Sequence, residues 1–288
     1  MNGVLVINKP LGYASRDAVN LIGKKLQTRK VGHTGTLDPK ASGVLVLCVG
    51  QAVKMVELMN NDDKEYIAEV ILGIETDTLD MDSNATILRE EKVNISKEQI
   101  INVVNSFKKK YLQEVPIYSS VKVDGKKLYE YARNKQDVIL PQKEVEIKDI
   151  SIIDDIVYKD DKISFKIKCT VSKGTYVRAL IRDIGRELGV PAVMNELIRT
   201  RQGNFSIDDS YTLDDIKNDN YKMLSITEAF NTIPVLTVTD EIAFKVRNGV
   251  ALELFINDEL TFINDKDGKT LALYKKIDDK YRPYKMFV

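Results

Sequence analysis

Asp38 lies in a loop whose composition suggests a chemical role for its carboxylate. Glycines at positions 32, 35 and 43 surround it, and Pro39 follows it directly. Proline supplies no backbone donor and disfavours a helical conformation at the preceding residue, so we expect an irregular loop here. The glycines would let another chain approach closely, which favours a functional role. The alternative is structural, because an aspartate can also bond to local backbone groups and hold a turn.

Arg178 is a candidate partner for such a carboxylate. It lies where a half-buried strand pattern gives way to an apolar helical pattern, so its guanidinium can be drawn inward. Burial raises the pKa of a carboxylate above its ordinary value of about 3.9, and an adjacent arginine offsets that rise. The alternative is a solvated arginine at the start of a helix.

Two tyrosines, Tyr66 and Tyr176, lie at the ends of predicted strands. A planar ring at such a place can stack on a nucleobase that has left its helix or loop. The alternative is that both rings belong to the core or its rim.

The composition excludes several other kinds of chemistry. The chain has one histidine, His33, so a histidine-rich metal site, or a Ser-His-Asp triad built on any other histidine, is excluded. Cys48 and Cys169 lie in apolar, strand-like patterns, and we expect them to be buried and reduced in a cytoplasmic protein. With 43% hydrophobic and 30% charged residues over 288 positions, the composition predicts a soluble globular protein. We expect neither a membrane span nor a secretory signal.

Basic and acidic residues are both 43 in number, but they are unevenly distributed. Residues 1–60 carry a net charge of +5, 101–148 carry +4 and 162–205 carry +6, whereas 61–100 carry −7. Binding an anionic polymer needs a local field rather than a basic total, and the three basic segments could fold into one basic face. The alternative is a solvated surface of mixed charge.

Hydrophobic periodicity predicts strands and helices in turn along the chain. The cleanest strand is 163–171, where apolar and polar residues alternate strictly, as on a half-buried antiparallel sheet. A helix follows over 177–188 and ends at Gly189, and a capping box at Ser96 opens another. Other strands are predicted at 4–7, 44–49 and 66–72, and a further helix after Ser15.

These elements predict an α+β fold with a mixed, largely antiparallel sheet flanked by helices. We expect one catalytic domain over residues 1–235. After Pro234 the pattern changes to short strand-like pieces, so residues 236–288 are expected to form a small β-rich domain.

Six short motifs, taken together, resemble the TruB family of tRNA pseudouridine synthases. The most specific is residues 32–45, with the sequence GHTGTLDPKASGVL, which resembles that family's catalytic motif. The others, in the family's order, are NKP at 8–10, KEY at 64–66, the block around TDT at 76–78, GKKLYEYAR at 125–133 and SKGTYVR at 172–178. The resemblance spans about residues 3 to 205.

The resemblance implies that the chain isomerises uridine 55 in the T arm of tRNA to pseudouridine. It implies that Asp38 is the essential carboxylate, that Arg178 is its ion partner, and that Tyr66 stacks on the target base and removes the proton from C5. Tyr176 and Leu197 match substrate-pocket positions, and His33 matches the residue that fills the T loop when bases flip out. Residues 236–288 would be a PUA-like RNA-binding domain.

The resemblance also implies the absence of some components. An isomerisation needs no redox step, so no cofactor and no metal are expected, and the partner is tRNA bound by a monomer. Two other functions stay open from the residues themselves. One is an RNA-binding or tRNA-folding module without catalysis. The other is a glycoside hydrolase, which would need a second carboxylate near Asp38.

Overall fold

The computed structural model describes residues 2–60, 62–82 and 85–288. Within these ranges the strands, in chain order, are β1 Gly3–Lys9, β2 Val31–His33, β3 Ala41–Val49, β4 Lys64–Leu72, β5 Ile74–Thr76, β6 Ile87–Glu90, β7 Lys110–Glu114, β8 Lys122–Val123, β9 Lys126–Lys127, β10 Gln142–Ile152, β11 Val157–Lys159, β12 Lys162–Val171, β13 Ala192–Gln202, β14 Phe205–Ser206, β15 Val235–Thr237, β16 Leu260–Asn264, β17 Thr270–Ile277 and β18 Lys280–Met286. The α-helices are α1 Ser15–Lys25, α2 Val56–Met59, α3 Lys97–Ser106, α4 Leu128–Arg133, α5 Val177–Leu188, α6 Leu213–Lys217, α7 Ile226–Ala229 and α8 Asp240–Arg247.

A large mixed sheet forms the centre of the fold. Its main strands lie in the order β1-β3-β13-β4-β12-β10-β7, with β2, β11 and β14 paired to its members. The pairing is antiparallel except between β13 and β3, which run parallel. This confirms the predicted α+β fold with a mixed, largely antiparallel sheet.

The predicted strand and helix patterns recur in the structure. Side chains of β12 alternate between buried and more exposed positions, because one face packs on the core. Helix α3 begins after Ser96, whose side chain accepts a hydrogen bond from the amide of Gln99 in a capping box. Helix α5 ends at Gly189, which adopts a left-handed φ of 75°.

The helices α1, α3 and α5 cover one face of the large sheet. Their apolar sides share one core with β4 and β12, including Ile22, Ile100 and Ile184. Burying each such side chain contributes about 1.5–3 kcal/mol to stability. Cys48 and Cys169 are buried free thiols, as predicted, and burial raises the pKa of each to about 12.

The last four strands form a second sheet in the order β15-β16-β17-β18. Its Phe262 and Leu273 pack with Val44 and Met55 of the large sheet's region in a shared apolar cluster. No helix among the described residues is long and apolar enough to cross a membrane.

Candidate active site

Four strands bring the predicted site residues to one end of the large sheet. In the ladder, Tyr66 of β4 lies opposite Arg199 of β13, and Arg199 lies opposite Gly43 of β3. On the other side of β4, Lys64 lies opposite Val171, the last residue of β12. The loop before β3, the start of β4, the end of β13 and the loop after β12 therefore meet.

A cavity of about 390 Å³ lies at this end of the sheet. Five of the predicted site residues line it: Asp38, Tyr66, Tyr176, Arg178 and Leu197. Asp38 is the one carboxylate among the described lining residues. This disfavours the glycoside hydrolase, which needs a second acid beside the first.

The first residue of α1, Ser15, fixes the loop that carries Asp38. The buried hydroxyl of Ser15 accepts a hydrogen bond from the Leu37 amide at 2.8 Å and donates to the Leu37 carbonyl at 2.9 Å. The Asp38 carbonyl accepts from the Ala41 amide at 3.0 Å. The backbone of the loop is thus held, while the Asp38 side chain remains 58% exposed.

Arg199 and Gln202 of β13 hold the other half of this loop. Both side chains are buried. Arg199 donates from Nε to the Val44 carbonyl at 2.7 Å and from Nη2 to the Gly35 carbonyl at 3.2 Å. The Gln202 amide donates to the carbonyl and the hydroxyl of Thr34 at 3.0 and 2.6 Å. Buried donors that are paired in this way hold the loop in place.

Arg178 points from the first turn of α5 toward Asp38. Its side chain is 9% exposed, and its Nη2 lies 3.9 Å from Asp38 Oδ2. Two carbonyls orient the guanidinium, because Nη2 donates to Tyr118 at 2.6 Å and Nη1 donates to Thr78 at 3.2 Å. The guanidinium is therefore held facing the carboxylate, within ion-pair distance of it.

Tyr176 precedes α5, and Gln113 of β7 fixes its backbone. The Gln113 side chain accepts from the Tyr176 amide at 2.8 Å and donates to the Tyr176 carbonyl at 3.2 Å. The Arg178 guanidinium lies 5.9 Å from the centre of the Tyr176 ring. Burial raises the pKa of Tyr176, and the nearby Ser119 hydroxyl and Arg178 partly offset that rise.

His33 lies outside the lining of the cavity. It is the last residue of β2, and its Nδ1 accepts a hydrogen bond from the Gly35 amide at 3.4 Å. Burial, and then the charge of Arg199, lower the pKa of the imidazole. The imidazole of His33 is therefore neutral at pH 7.

Two buried lysines at the site were not assigned a role from the sequence. Lys64 lines the cavity, and its ammonium donates to the carbonyls of Asn60 and Asp62. Lys9 is fully buried and donates to the carbonyls of Tyr13 and Pro10. Burial lowers the pKa of each lysine to about 8. The signal for Lys64 was its place two residues before Tyr66, which puts both on one face of β4.

No group of three or more histidine, cysteine, aspartate or glutamate side chains that could hold a metal ion occurs among residues 2–60, 62–82 and 85–288.

Two family models match the chain in sequence. Residues 23–177 match the TruB family pseudouridylate synthase N-terminal domain, and residues 178–229 match the tRNA pseudouridylate synthase B C-terminal domain. The chain belongs to the TruB family. In this TruB-family chain the second matched segment includes β13, so it is part of the large sheet.

Curated relatives of this TruB-family chain share its sequence over nearly its whole length. The chain is 44% identical to tRNA pseudouridine synthase B of Bacillus subtilis (strain 168), over 95% of this chain and 93% of that protein. It is 40% identical to tRNA pseudouridine synthase B of Staphylococcus saprophyticus, over 99% of each.

A solved structure shows the same fold. It is an H/ACA ribonucleoprotein bound to a substrate RNA containing 2′-deoxyuridine, with a TM-score of 0.70 and 24% identity. The match covers 99% of this chain and 85% of that one.

Proposed function

We propose that this chain isomerises uridine 55 in the T arm of tRNA to pseudouridine. The observation that carries the proposal is the near full-length identity of 44% to a protein named tRNA pseudouridine synthase B. The cavity supports it, since Asp38 lies there beside Arg178, Tyr66 and Tyr176.

The reaction replaces the carbon–nitrogen bond between ribose and base by a carbon–carbon bond, without a net change in composition. The bond between C1′ of the ribose and N1 of the uracil breaks, the base rotates, and C1′ bonds to C5. The proton on C5 then leaves, and N1 gains a proton. No electron acceptor is needed, so the proposal includes neither a cofactor nor a metal.

Asp38 serves as the essential carboxylate at the ribose. Its exposed oxygens can reach a nucleotide in the cavity, and the Arg178 guanidinium faces the carboxylate at 3.9 Å. Two roles fit this placement: attack on C1′, or removal of a proton at the 2′ position of the ribose. Both need the anion, so both predict the same loss on its removal.

The aromatic and apolar residues of the cavity hold the base. Tyr66 stacks on the flipped uracil and takes the proton from C5, while Tyr176 and Leu197 form the rest of the pocket wall. His33, placed beside the Asp38 loop, fills the space that the departing bases leave in the T loop.

The rest of the chain serves RNA binding in this proposal. Residues 1–235 form the catalytic domain, and residues 236–288 form a small PUA-like domain that contacts RNA. The protein acts as a monomer on tRNA in the cytoplasm.

Release of tritium from C5-labelled uridine in a T-arm stem-loop tests the function. The proposal expects release by the intact chain and none from a stem-loop with cytidine at the target position. Tight RNA binding without release would show instead an RNA-binding or tRNA-folding module.

A further inference from the structure

Lys143 extends from the start of β10 onto the loop between β12 and α5. The Lys143 ammonium occupies the space next to the α-carbon of Gly174, where a β-carbon would otherwise stand. Gly174 has a φ of +83°, a conformation that disfavours other residues. The Ser172 amide donates to the Glu146 carbonyl and the Ser172 hydroxyl accepts from the Glu146 amide, each at 2.9 Å, so this loop is fixed beside β10. The loop that the ammonium contacts is therefore held in place beside β10.

Lys143 differs from the other lysines on this part of the sheet. On β10, Lys148 pairs with Asp63 at 2.6 Å, and on β12, Lys168 pairs with Glu65 at 3.2 Å. Lys143 has no carboxylate within 4.0 Å in the described part of the chain. It is an exposed cation whose charge the protein itself does not neutralise.

The place where Lys143 rests is the edge of the cavity. Gly174 and Lys173 line that cavity together with Lys64. The charge of Lys173 is among the causes that lower the pKa of Lys64, after burial and Arg199, so the positive groups act on one another. A row of cations thus runs from Lys143 across the 172–175 turn to Lys64.

We propose that Lys143, seated on Gly174, binds a phosphodiester of the substrate RNA at the mouth of the cavity. This rests on the proposed function, because a nucleotide that enters the cavity brings its flanking phosphates to this edge. A backbone phosphate is the anion that every RNA substrate carries there, and a lysine binds it as a point charge. The contact positions the strand and is independent of the base sequence.

Three variants test the proposal on a T-arm stem-loop. Lys143→Met removes the charge and keeps most of the stem, and Lys143→Arg keeps the charge. Lys148→Met is the matched control, since that lysine lies on the same strand but is paired with Asp63. We expect Lys143→Met to raise KM on the order of fivefold with kcat nearly unchanged, because the contact is equal in the ground and transition states. Lys143→Arg should restore KM, and Lys148→Met should change it little.

Replacing single phosphodiesters of the RNA by neutral linkages identifies the phosphate that Lys143 binds. Methylphosphonates are placed one at a time on either side of the target uridine, and KM is measured for each with wild type and Lys143→Met. We expect one linkage that weakens binding to wild type and has no further effect on Lys143→Met. The salt slope of binding should also fall by about 0.7–0.9 in that variant.

Two results would overturn the proposal. One is that Lys143→Met shows wild-type KM and salt slope. The other is that every neutral linkage has the same effect on both proteins. Either result with normal tritium release by the wild type leaves the proposed function standing, whereas no release by the wild type contradicts the function itself.

Discussion

Asp38 is the residue on which the proposed chemistry depends most directly. Replacing it by asparagine keeps its size and removes the anion that Arg178 faces at 3.9 Å. We expect Asp38→Asn to lose detectable turnover while RNA binding stays within about tenfold, because phosphate contacts supply most of the affinity. Tritium release and a binding isotherm measure the two effects. Substantial pseudouridine formation by the purified variant would contradict the assignment.

A substitution at Tyr66 can distinguish its role in stacking from its role in proton removal. Its ring is buried in β4 beside Arg199, and its hydroxyl is the part that phenylalanine lacks. We expect Tyr66→Phe to bind the stem-loop normally and to turn over slower by about 10²–10⁴-fold, as for loss of a positioned acid or base. Single-turnover rates at saturating enzyme test this. Near-normal rates would mean that Tyr66 only stacks and that another group removes the proton.

His33 is predicted to act on the RNA rather than on the reacting atoms. It lies outside the lining of the cavity, and its imidazole is held by the Gly35 amide. Flipping the target base from a folded loop costs a few kcal/mol, whereas an unstructured oligomer has little to lose. We therefore expect His33→Ala to lower kcat/KM far more on a folded T arm than on an unstructured uridine oligomer. Equal losses on both RNAs would show that His33 only braces the loop.

At the scale of elements, the register between β3 and β13 shapes the site. Gly43 lies opposite Arg199 with a φ of +100°, and a β-carbon there would collide with the Arg199 backbone. We expect Gly43→Ala to lower the free energy of unfolding by roughly 1–3 kcal/mol and to lower kcat as well, because the same strand pair holds the Asp38 loop. Ser42→Ala, one residue earlier on β3, is the control. Denaturant titration and tritium release would show whether stability and kcat fall together; a wild-type kcat would uncouple the register from catalysis.

Elements with an unbroken period could be predicted from the sequence, and those with a shifted register could not. The strand β12 and the helix α5 each keep one period throughout, and both were predicted closely. The strands β10 and β13 were missed, although each has 11 residues. Their registers shift at Ile147/Asp149 in β10 and at two places in β13, so the apolar side chains change phase along the strand.

The same limit applied to the site. Asp38, Tyr66 and Arg178 lie in motifs that carry a family resemblance, so they could be named before the fold was known. Gln113 could not be named from the sequence, because it becomes part of the site only through its contact with Tyr176, which is 63 positions away. Residues that orient others through tertiary hydrogen bonds leave no local pattern in the sequence.

At the scale of the whole molecule, the balance of charge between the two sheets predicts where RNA is held. Residues 236–288 contain nine basic and nine acidic residues. Five of their lysines pair with carboxylates, among them Lys275 with Glu259 at 3.1 Å, Lys280 with Glu253 at 3.1 Å and Lys285 with Glu57 at 3.3 Å. The basic segments of residues 1–205 therefore supply most of the field that an RNA meets.

Neutralising the basic side chains of the small sheet should consequently change tRNA binding little. Deleting the segment is the poorer test, because Phe262 and Leu273 share a core with the large sheet and their loss would expose it. The variant we specify carries glutamine at five positions: Lys275, Lys276, Lys280, Arg282 and Lys285. We expect the salt slope of tRNA binding to fall by no more than about one to two, since each lost phosphate contact lowers it by roughly 0.9. Affinity measured against salt for wild type and variant decides the matter, with thermal unfolding as the check on folding. A slope that falls by half or more would make the small sheet a principal RNA clamp, with its basic side chains gathered on one face despite a neutral total.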